Sequence, residues 1–250
     1  MDEPAGEQPL IIRPEMLLGR RLDFERRMNR APGVTLAIIL VLACVFAVEV
    51  AMDALHTPEA LVAMGALSRP AVLAGQYWRL ITATLLHGSF GHLAGNAVAL
   101  YILGMVCEHA FGRAQFVLLY AASGLAGSLL SVIVSPGPSV GASGAIFGLQ
   151  AAAIVLFRSH RERLLVRDRR IGFVLLIWAA YSIVSGALTL YIDNGAHIGG
   201  ALGGALVARR LHPVVLDWMP EAKEATVKRW LWVVAAAMAY AVIGLARSFL

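Results

Sequence analysis

The chain has 250 residues, of which 59% are hydrophobic and only 15% charged, with a net charge of +5. A soluble globular domain carries about 25% charged residues and few apolar runs near 20 residues, so this composition indicates an integral membrane protein. The positive charge does not point to nucleic acid, because the basic residues sit between the apolar runs, which is the pattern of a membrane topology signal.

Residues 1–32 are a charged stretch ahead of the first apolar run. Within it, Met16–Arg30 mixes Leu17, Leu18, Leu22, Phe24 and Met28 with arginines. That mixture suits either a short helix on the cytoplasmic membrane surface or a frayed tail. No small-residue cleavage site follows the first run, which therefore reads as a retained helix and not as a signal peptide.

Seven helices are predicted, over 33–52, 92–111, 115–135, 143–157, 171–191, 197–209 and 230–247. The domain plan is a cytoplasmic segment (1–32), a six-helix core (33–210), a cytoplasmic linker (211–229) and a seventh span (230–250). Cys44 and Cys107 both fall inside apolar runs and read as small hydrophobes. The long loop at 53–91 carries Leu61, Val62, Met64, Leu67, Val72 and Leu73 and is expected to lie partly in the outer leaflet. Tyr77-Trp78-Arg79 within it reads as an interface cluster.

The cations set the orientation. Eighteen of the 21 Lys and Arg fall in alternate connecting segments; only Arg69, Arg79 and Arg247 lie on the other side. The positive-inside bias then puts the N-terminus in the cytoplasm and the C-terminus outside. Nineteen Arg against two Lys, with abundant Ala and Gly, hint at a GC-rich bacterial genome and hence a multi-pass protein of a bacterial inner membrane.

Two of the predicted helices are short. From Ser143 to Phe157 is roughly 22 Å of helix, less than the bilayer core of about 30 Å. Its cytoplasmic end is fixed by the arginines between 158 and 170, so its outer end stops below the surface. The preceding Ser135-Pro136-Gly137-Pro138-Ser139-Val140-Gly141 cannot continue a helix. Irregular backbone at membrane depth belongs inside protein or beside a water-filled cavity, so Ser143 is expected to face a cavity. Taken alone, Ser143 is better explained as a helix N-cap, and a lone Gly-x-Ser-Gly is a weak signal.

The helix from His197 to Arg209 also starts deep. Gly200 and Gly204, with Gly199 and Gly203 beside them, form a small-residue face that admits a second backbone. The helix carrying Gly144, Ala145, Gly148 and Ala151 is the matching partner. Packing the two brings His197 within reach of Ser143, where its imidazole can act as general base toward the hydroxyl. His92 and Asn96, four residues apart on one helix face, present two donors of the kind that a developing oxyanion needs; the Ser143 backbone N–H is a third. His87 more plausibly braces its loop. Asp193 sits in a predicted turn with its side chain toward water, which favours a Ser–His dyad over a triad. His87, His92 and His197 lack a His-Glu-x-x-His pattern, so no metal or other cofactor is expected.

Together these residues resemble the rhomboid family of intramembrane serine proteases over about residues 33–210. The resemblance rests on Trp78-Arg79, His87, His92-x-x-x-Asn96, Glu108 with Gly112, Gly141-x-Ser143-Gly144 and Ala196-His197-x-x-Gly200-x-x-x-Gly204. It implies an all-α polytopic bundle of six helices plus one C-terminal addition. It also implies Ser143 as nucleophile, His197 as base, and His92, Asn96 and the Ser143 N–H as oxyanion donors. The helix at 171–191 and the loop at about 190–196 are implied as a gate for single-span membrane protein substrates entering from the lipid bilayer. Two positions depart from the pattern. Phe147 stands where Tyr often stacks on the histidine, which removes a hydroxyl but keeps the ring. Ala110 stands where Arg often follows Glu108. A non-catalytic scaffold of the same fold is disfavoured by the intact Ser143, His197, His92 and Asn96. A transporter is disfavoured by the few ionisable residues at mid-membrane depth.

Overall fold

A computed structural model describes residues 21–188 and 192–249. All its named elements are helices, α1 (Phe24–Arg27), α2 (Gly33–Ala51), α3 (Pro58–Ala63), α4 (Arg69–Leu73), α5 (Arg79–Thr82), α6 (Phe90–Val134), α7 (Ser143–Ser159), α8 (Val166–Ala187), α9 (Asn194–Ala208) and α10 (Glu221–Arg247). Among the described residues, four helices are long and apolar enough to cross a membrane: α2, α6, α10 and the Arg170–Ala187 part of α8.

The ends of the apolar helices decide how they fold. Helix α2 has Pro32 at its N-cap, with no side-chain cap of its own. Its first N–H groups find a partner on another helix instead. Glu108 accepts from Val34 N at 3.0 Å, from Thr35 N at 2.8 Å and from the Thr35 hydroxyl at 2.8 Å. A carboxylate at a helix N-terminus satisfies orphan donors and meets the positive end of the dipole. The cation absent at Ala110 is replaced by Arg113, a looser neighbour at 3.8 Å with an exposed side chain.

Helix α6 has 45 residues and would run about 67 Å if straight. It breaks at Gly112, whose φ of 77° and ψ of 160° lie outside the helical region and favour glycine. The two limbs fold back as a hairpin, so His92 and Ser135 return to the same end of the bundle. The spans predicted at 92–111 and 115–135 are these limbs, joined more tightly than a loop. Gln115 holds the turn by donating to the Phe111 and His212 carbonyls.

The 53–89 segment, expected as a long loop, has helical structure of its own. It folds into α3, α4 and α5 and packs on itself. Arg79 is buried and donates to the Val62 and Ala66 carbonyls and to Gln76 Oε1, and Thr82 donates to the Gly65 carbonyl. The expected interface cluster is corrected here: Tyr77 is exposed, but Trp78 is buried. A Cβ on Gly244 of α10 would collide with the Trp78 ring, so the indole fills a slot left by that glycine.

Of the two readings offered for the N-terminal segment, the frayed tail does not hold from Leu22 onward, where the chain forms the short helix α1. Residues 1–20 lie outside the described residues. From Leu22 onward the chain is docked: Leu22 N donates to the Arg163 carbonyl at 2.8 Å, and Phe24 N donates to Asp168 at 3.1 Å. The Phe24 ring is fully buried against Phe157, edge to face at 5.3 Å. On the same arginine-rich face Arg163 grips Asp217 through both guanidinium nitrogens, and this bond holds the Asp217 carboxyl below its usual range.

Helix bounds differ from expectation most clearly in four helices. Helix α8 runs Val166–Ala187 instead of 171–191, and 189–191 lie outside the described residues. Helix α9 begins at Asn194, one turn before His197. Helix α10 begins at Glu221, because a mixed-charge turn with a Glu224–Lys228 pair extends the apolar helix. Helix α7 continues two residues to Ser159.

Replacing Glu108 by alanine strands two backbone N–H groups and a buried hydroxyl. It is expected to destabilise the fold by about 3 kcal/mol, read as a lower midpoint of unfolding in detergent. Arg113→Ala should change it by less than about 0.5 kcal/mol, because the pair is exposed and long.

Candidate active site

Glycine brings α7 and α9 together. A Cβ on Gly200 would overlap the Gly144 carbonyl, and one on Gly204 would overlap Gly148. The backbones therefore touch with no side chains between them, as the small-residue faces predicted. A third helix, not anticipated, shares this contact. A Cβ on Gly127 of α6 would come 2.7 Å from the Ala196 carbonyl and 3.3 Å from Gly144 Cα. Gly199 faces the Ala126 carbonyl of α6 in the same way, at 2.6 Å. The sequence signal was present in Ser123-Gly124-Leu125-Ala126-Gly127-Ser128, a small-residue run inside an apolar span.

This packing places Ser143, the first residue of α7, opposite His197, which lies one turn into α9. His197 Nε2 and Ser143 Oγ are 2.9 Å apart. For Nε2 to accept the hydroxyl proton, the imidazole must carry its own proton on Nδ1. That atom is buried and, among the described residues, has no hydrogen-bond partner. The ring is held by packing instead. Phe147, one turn below Ser143, stacks on it at 4.2 Å between centroids with 14° between planes. Such contacts are worth about 1 kcal/mol beyond area burial, and the missing phenol hydroxyl plays no part in them.

Asp193 does not face water, which corrects the expectation. It is the N-cap of α9 and accepts from Ala196 N at 3.0 Å and from the Ser131 and Ser135 hydroxyls of the second α6 limb. Ser, Asp and Asn preceding a short helix are cap signals, so the residue type was legible. The two serines that turn it inward come from 58 and 62 residues away. Asp193 thus fixes the start of the helix that carries His197, without touching the ring's free nitrogen.

His92 and Asn96 lie on the first α6 limb, whose start is capped by Ser89 accepting from His92 N at 3.2 Å. Both reach the strand of chain just before Ser143. A Cβ on Gly141 would meet His92 Nε2 at 2.8 Å and Asn96 Nδ2 at 3.6 Å. Gly141 has φ of 126°, a conformation that disfavours other residues. Asn96 Nδ2 is buried with no partner, and the Ser143 N–H, at the first helical position, has none within its own helix. His92 and Asn96 thus lie against Gly141, two residues before Ser143, and among the described residues the Asn96 amide there has no partner. His87 is fully buried in the adjoining loop, with its ring 5.1 Å from that of His92.

Two cavities adjoin the pair. One, lined by Ser128, Ser139, Gly141, Gly144 and Ala196, has a volume of about 10 Å³, room for about one water. The other is apolar, about 250 Å³, and lies between α7, α8 and α9 against Phe147, Leu176, Ala179, Ile183 and Ala201. Helix α8 crosses this gap on few polar ties: Gln150 donates to the Leu175 carbonyl at 2.9 Å and Asn194 to the Ile183 carbonyl at 3.1 Å. Among the described residues no group of three or more His, Cys, Asp or Glu side chains is placed to hold a metal ion. Of the predicted structural positions, Trp78, Arg79 and Glu108 brace the fold away from the pair, whereas Gly141, Gly144, Gly200 and Gly204 shape it.

Residues 74–214 match the Rhomboid domain family. The chain is 38% identical over 184 residues to the rhomboid protease GluP of Bacillus subtilis (strain 168), covering 73% of this chain and 36% of that protein. It is 40% identical over 144 residues to RHOMBOID-like protein 5 of Arabidopsis thaliana, covering 56% of this chain and 46% of that one. It is 30% identical over 205 residues to the rhomboid protease AarA of Providencia stuartii, covering 71% of this chain and 72% of the relative. The chain thus spans well under two thirds of the length of the first two proteins and more than two thirds of the third.

Gly200→Ala puts a methyl group into the Gly144 carbonyl and must part α7 from α9. It is expected to lower labelling of Ser143 by a fluorophosphonate at least about tenfold, since misplacement by about 1 Å costs up to a hundredfold. Gly91→Ala, where nothing lies within 4 Å, should leave labelling unchanged.

Proposed function

The chain belongs to the rhomboid family, an integral multi-pass membrane family, and we propose that it is an intramembrane serine endopeptidase using Ser143 and His197 as a dyad. The observation that carries the reading is the 2.9 Å approach of His197 Nε2 to Ser143 Oγ at the mouth of two short helices. Its proposed substrates are single-span membrane proteins, cut near the outer leaflet.

The chemistry follows from the positions of the atoms. Ser143 Oγ attacks the carbonyl carbon of the scissile peptide while His197 Nε2 takes the hydroxyl proton. The carbonyl π electrons move to oxygen, and the resulting oxyanion is met by His92, Asn96 and the Ser143 N–H. Such donors, fixed before reaction, are worth about 10²–10³ in rate each. Collapse breaks the C–N bond, and His197 returns its proton to the leaving amine. Water then attacks the acyl-enzyme, again giving its proton to His197, and Ser143 is released with a new carboxyl terminus.

The gate is proposed to be α8 with the chain at about 190–196. Support comes from the exposure of Phe173, Val174, Tyr181 and Val184 and from the apolar gap behind the helix. The proposed setting is a bacterial inner membrane with the N-terminus in the cytoplasm and the C-terminus outside, supported by the cation bias. On this reading 33–210 is the catalytic core, and the linker and seventh helix follow it.

Fluorophosphonate labelling of wild type, lost in Ser143→Ala and His197→Ala, is the expected result, together with cleavage of at least one member of a co-expressed panel of single-span proteins. Cleavage that survives either substitution would overturn the dyad. Phe147→Tyr should keep wild-type activity within about threefold, and Phe147→Ala should lose about tenfold, the equivalent of one stacking contact of about 1.4 kcal/mol.

A further inference from the structure

Helix α2 is apolar from Val34 to Val48 apart from Thr35, and then, in its last turn, carries Glu49. This carboxylate is fully buried. An ionisable group inside an apolar membrane span is expensive and marks a functional position. Both its oxygens are directed to one donor, the backbone N–H of His87, at 2.9 and 3.1 Å.

His87 lies between α5 and α6, two residues before the Ser89 cap that starts the helix of His92 and Asn96. Its ring is also fully buried, and neither ring nitrogen has a partner. The ring's polar atoms do not explain its burial. Its backbone bond to Glu49 and its edge-to-face contact with His92 at 5.1 Å do. Around this bond Leu86, Ala54, Met64 and Ala66 form a small apolar core, against which Val45 of α2 and Val140 pack. Val140 is the neighbour of Gly141, the residue that His92 and Asn96 touch. One buried acceptor on α2 therefore fixes the turn that sets the register of the two donors over Gly141.

We propose that Glu49 is a positioning residue of the oxyanion site: by holding the His87 N–H it keeps His92 and Asn96 aimed at the carbonyl that Ser143 attacks. This rests on the proposed protease reading. The requirement is for an acceptor at that point, not for a charge, which distinguishes three substitutions. Glu49→Gln retains one carbonyl oxygen within reach. Glu49→Leu keeps the volume and removes the acceptor. Glu49→Asp keeps the charge and withdraws the oxygens by one methylene.

The test uses the full chain in proteoliposomes with a fluorogenic transmembrane peptide that the wild type cleaves. Glu49→Leu should lower kcat about thirtyfold with KM changed less than about threefold, since displaced donors cost transition-state binding alone. Glu49→Gln should stay within about threefold of wild type, and Glu49→Asp should lose about tenfold in kcat. On a His92→Ala/Asn96→Ala background, expected to be labelled slowly by a fluorophosphonate, Glu49→Leu should slow labelling less than about threefold more, because the donors it positions are already gone. Wild-type kcat in Glu49→Leu or Glu49→Asp overturns the proposal, as does a full multiplicative loss on the His92→Ala/Asn96→Ala background. If Glu49→Leu does not fold, Glu49→Asp and Glu49→Gln decide the matter by the same numbers. Failure of the protease reading looks different: the unmodified chain itself is then unlabelled and inactive, and the proposal falls with it.

Discussion

The contact on which the rest depends is the meeting of three backbones, at Gly127 of α6, Gly144 of α7 and Gly200 of α9. A side chain on Gly200 would overlap the Gly144 carbonyl, and one on Gly127 would press on the Ala196 carbonyl of α9. In a bilayer the hydrophobic effect does not press helices together, since lipid is as apolar as leucine; close packing and polar ties must do so. Here closeness is obtained by omitting side chains. The distance between Ser143 and His197 is then set by backbone geometry, which is stiff, and not by rotamers, which are soft.

Polar ties supply what closeness cannot. Glu108 satisfies the start of α2, Asp193 the start of α9, and Ser89 the start of α6. Each carboxylate or hydroxyl meets N–H groups that would otherwise be orphaned in a medium without water. The same logic leaves a few donors and acceptors open near Ser143, where the His197 Nδ1 and the Asn96 amide remain unpaired. Unpaired buried polar atoms are rare in folded proteins and call for a reason. Here the imidazole opposite Ser143 and the amide against Gly141 both belong to the chemistry proposed for that hydroxyl.

Much of this was legible in the sequence, and the boundary is physical. Ser143, His197, Gly200 and Gly204 could be read because helix length, glycine spacing and residue type are local properties. The hairpin at Gly112 was visible as two apolar spans, though not as a break one residue wide. Asp193 was misread because the hydroxyls that draw it inward belong to another helix. Trp78 was misread because an aromatic beside an arginine suits both a lipid interface and a buried slot, and only Gly244, far along the chain, decides between them. Phe24 looked like one apolar residue in a charged tail, and its pocket on Phe157 and Asp168 is long-range. Long-range pairing of single residues leaves no periodic trace.

The slot for Trp78 has a consequence for biogenesis. A membrane protein is threaded into the bilayer in chain order, and Gly244 emerges after every other residue of the bundle that has been discussed. Until then the indole has no wall on that side, and the packing of the 53–89 segment waits for α10. Packing of the 53–89 segment is thereby coupled to the insertion of α10, a helix far along the chain.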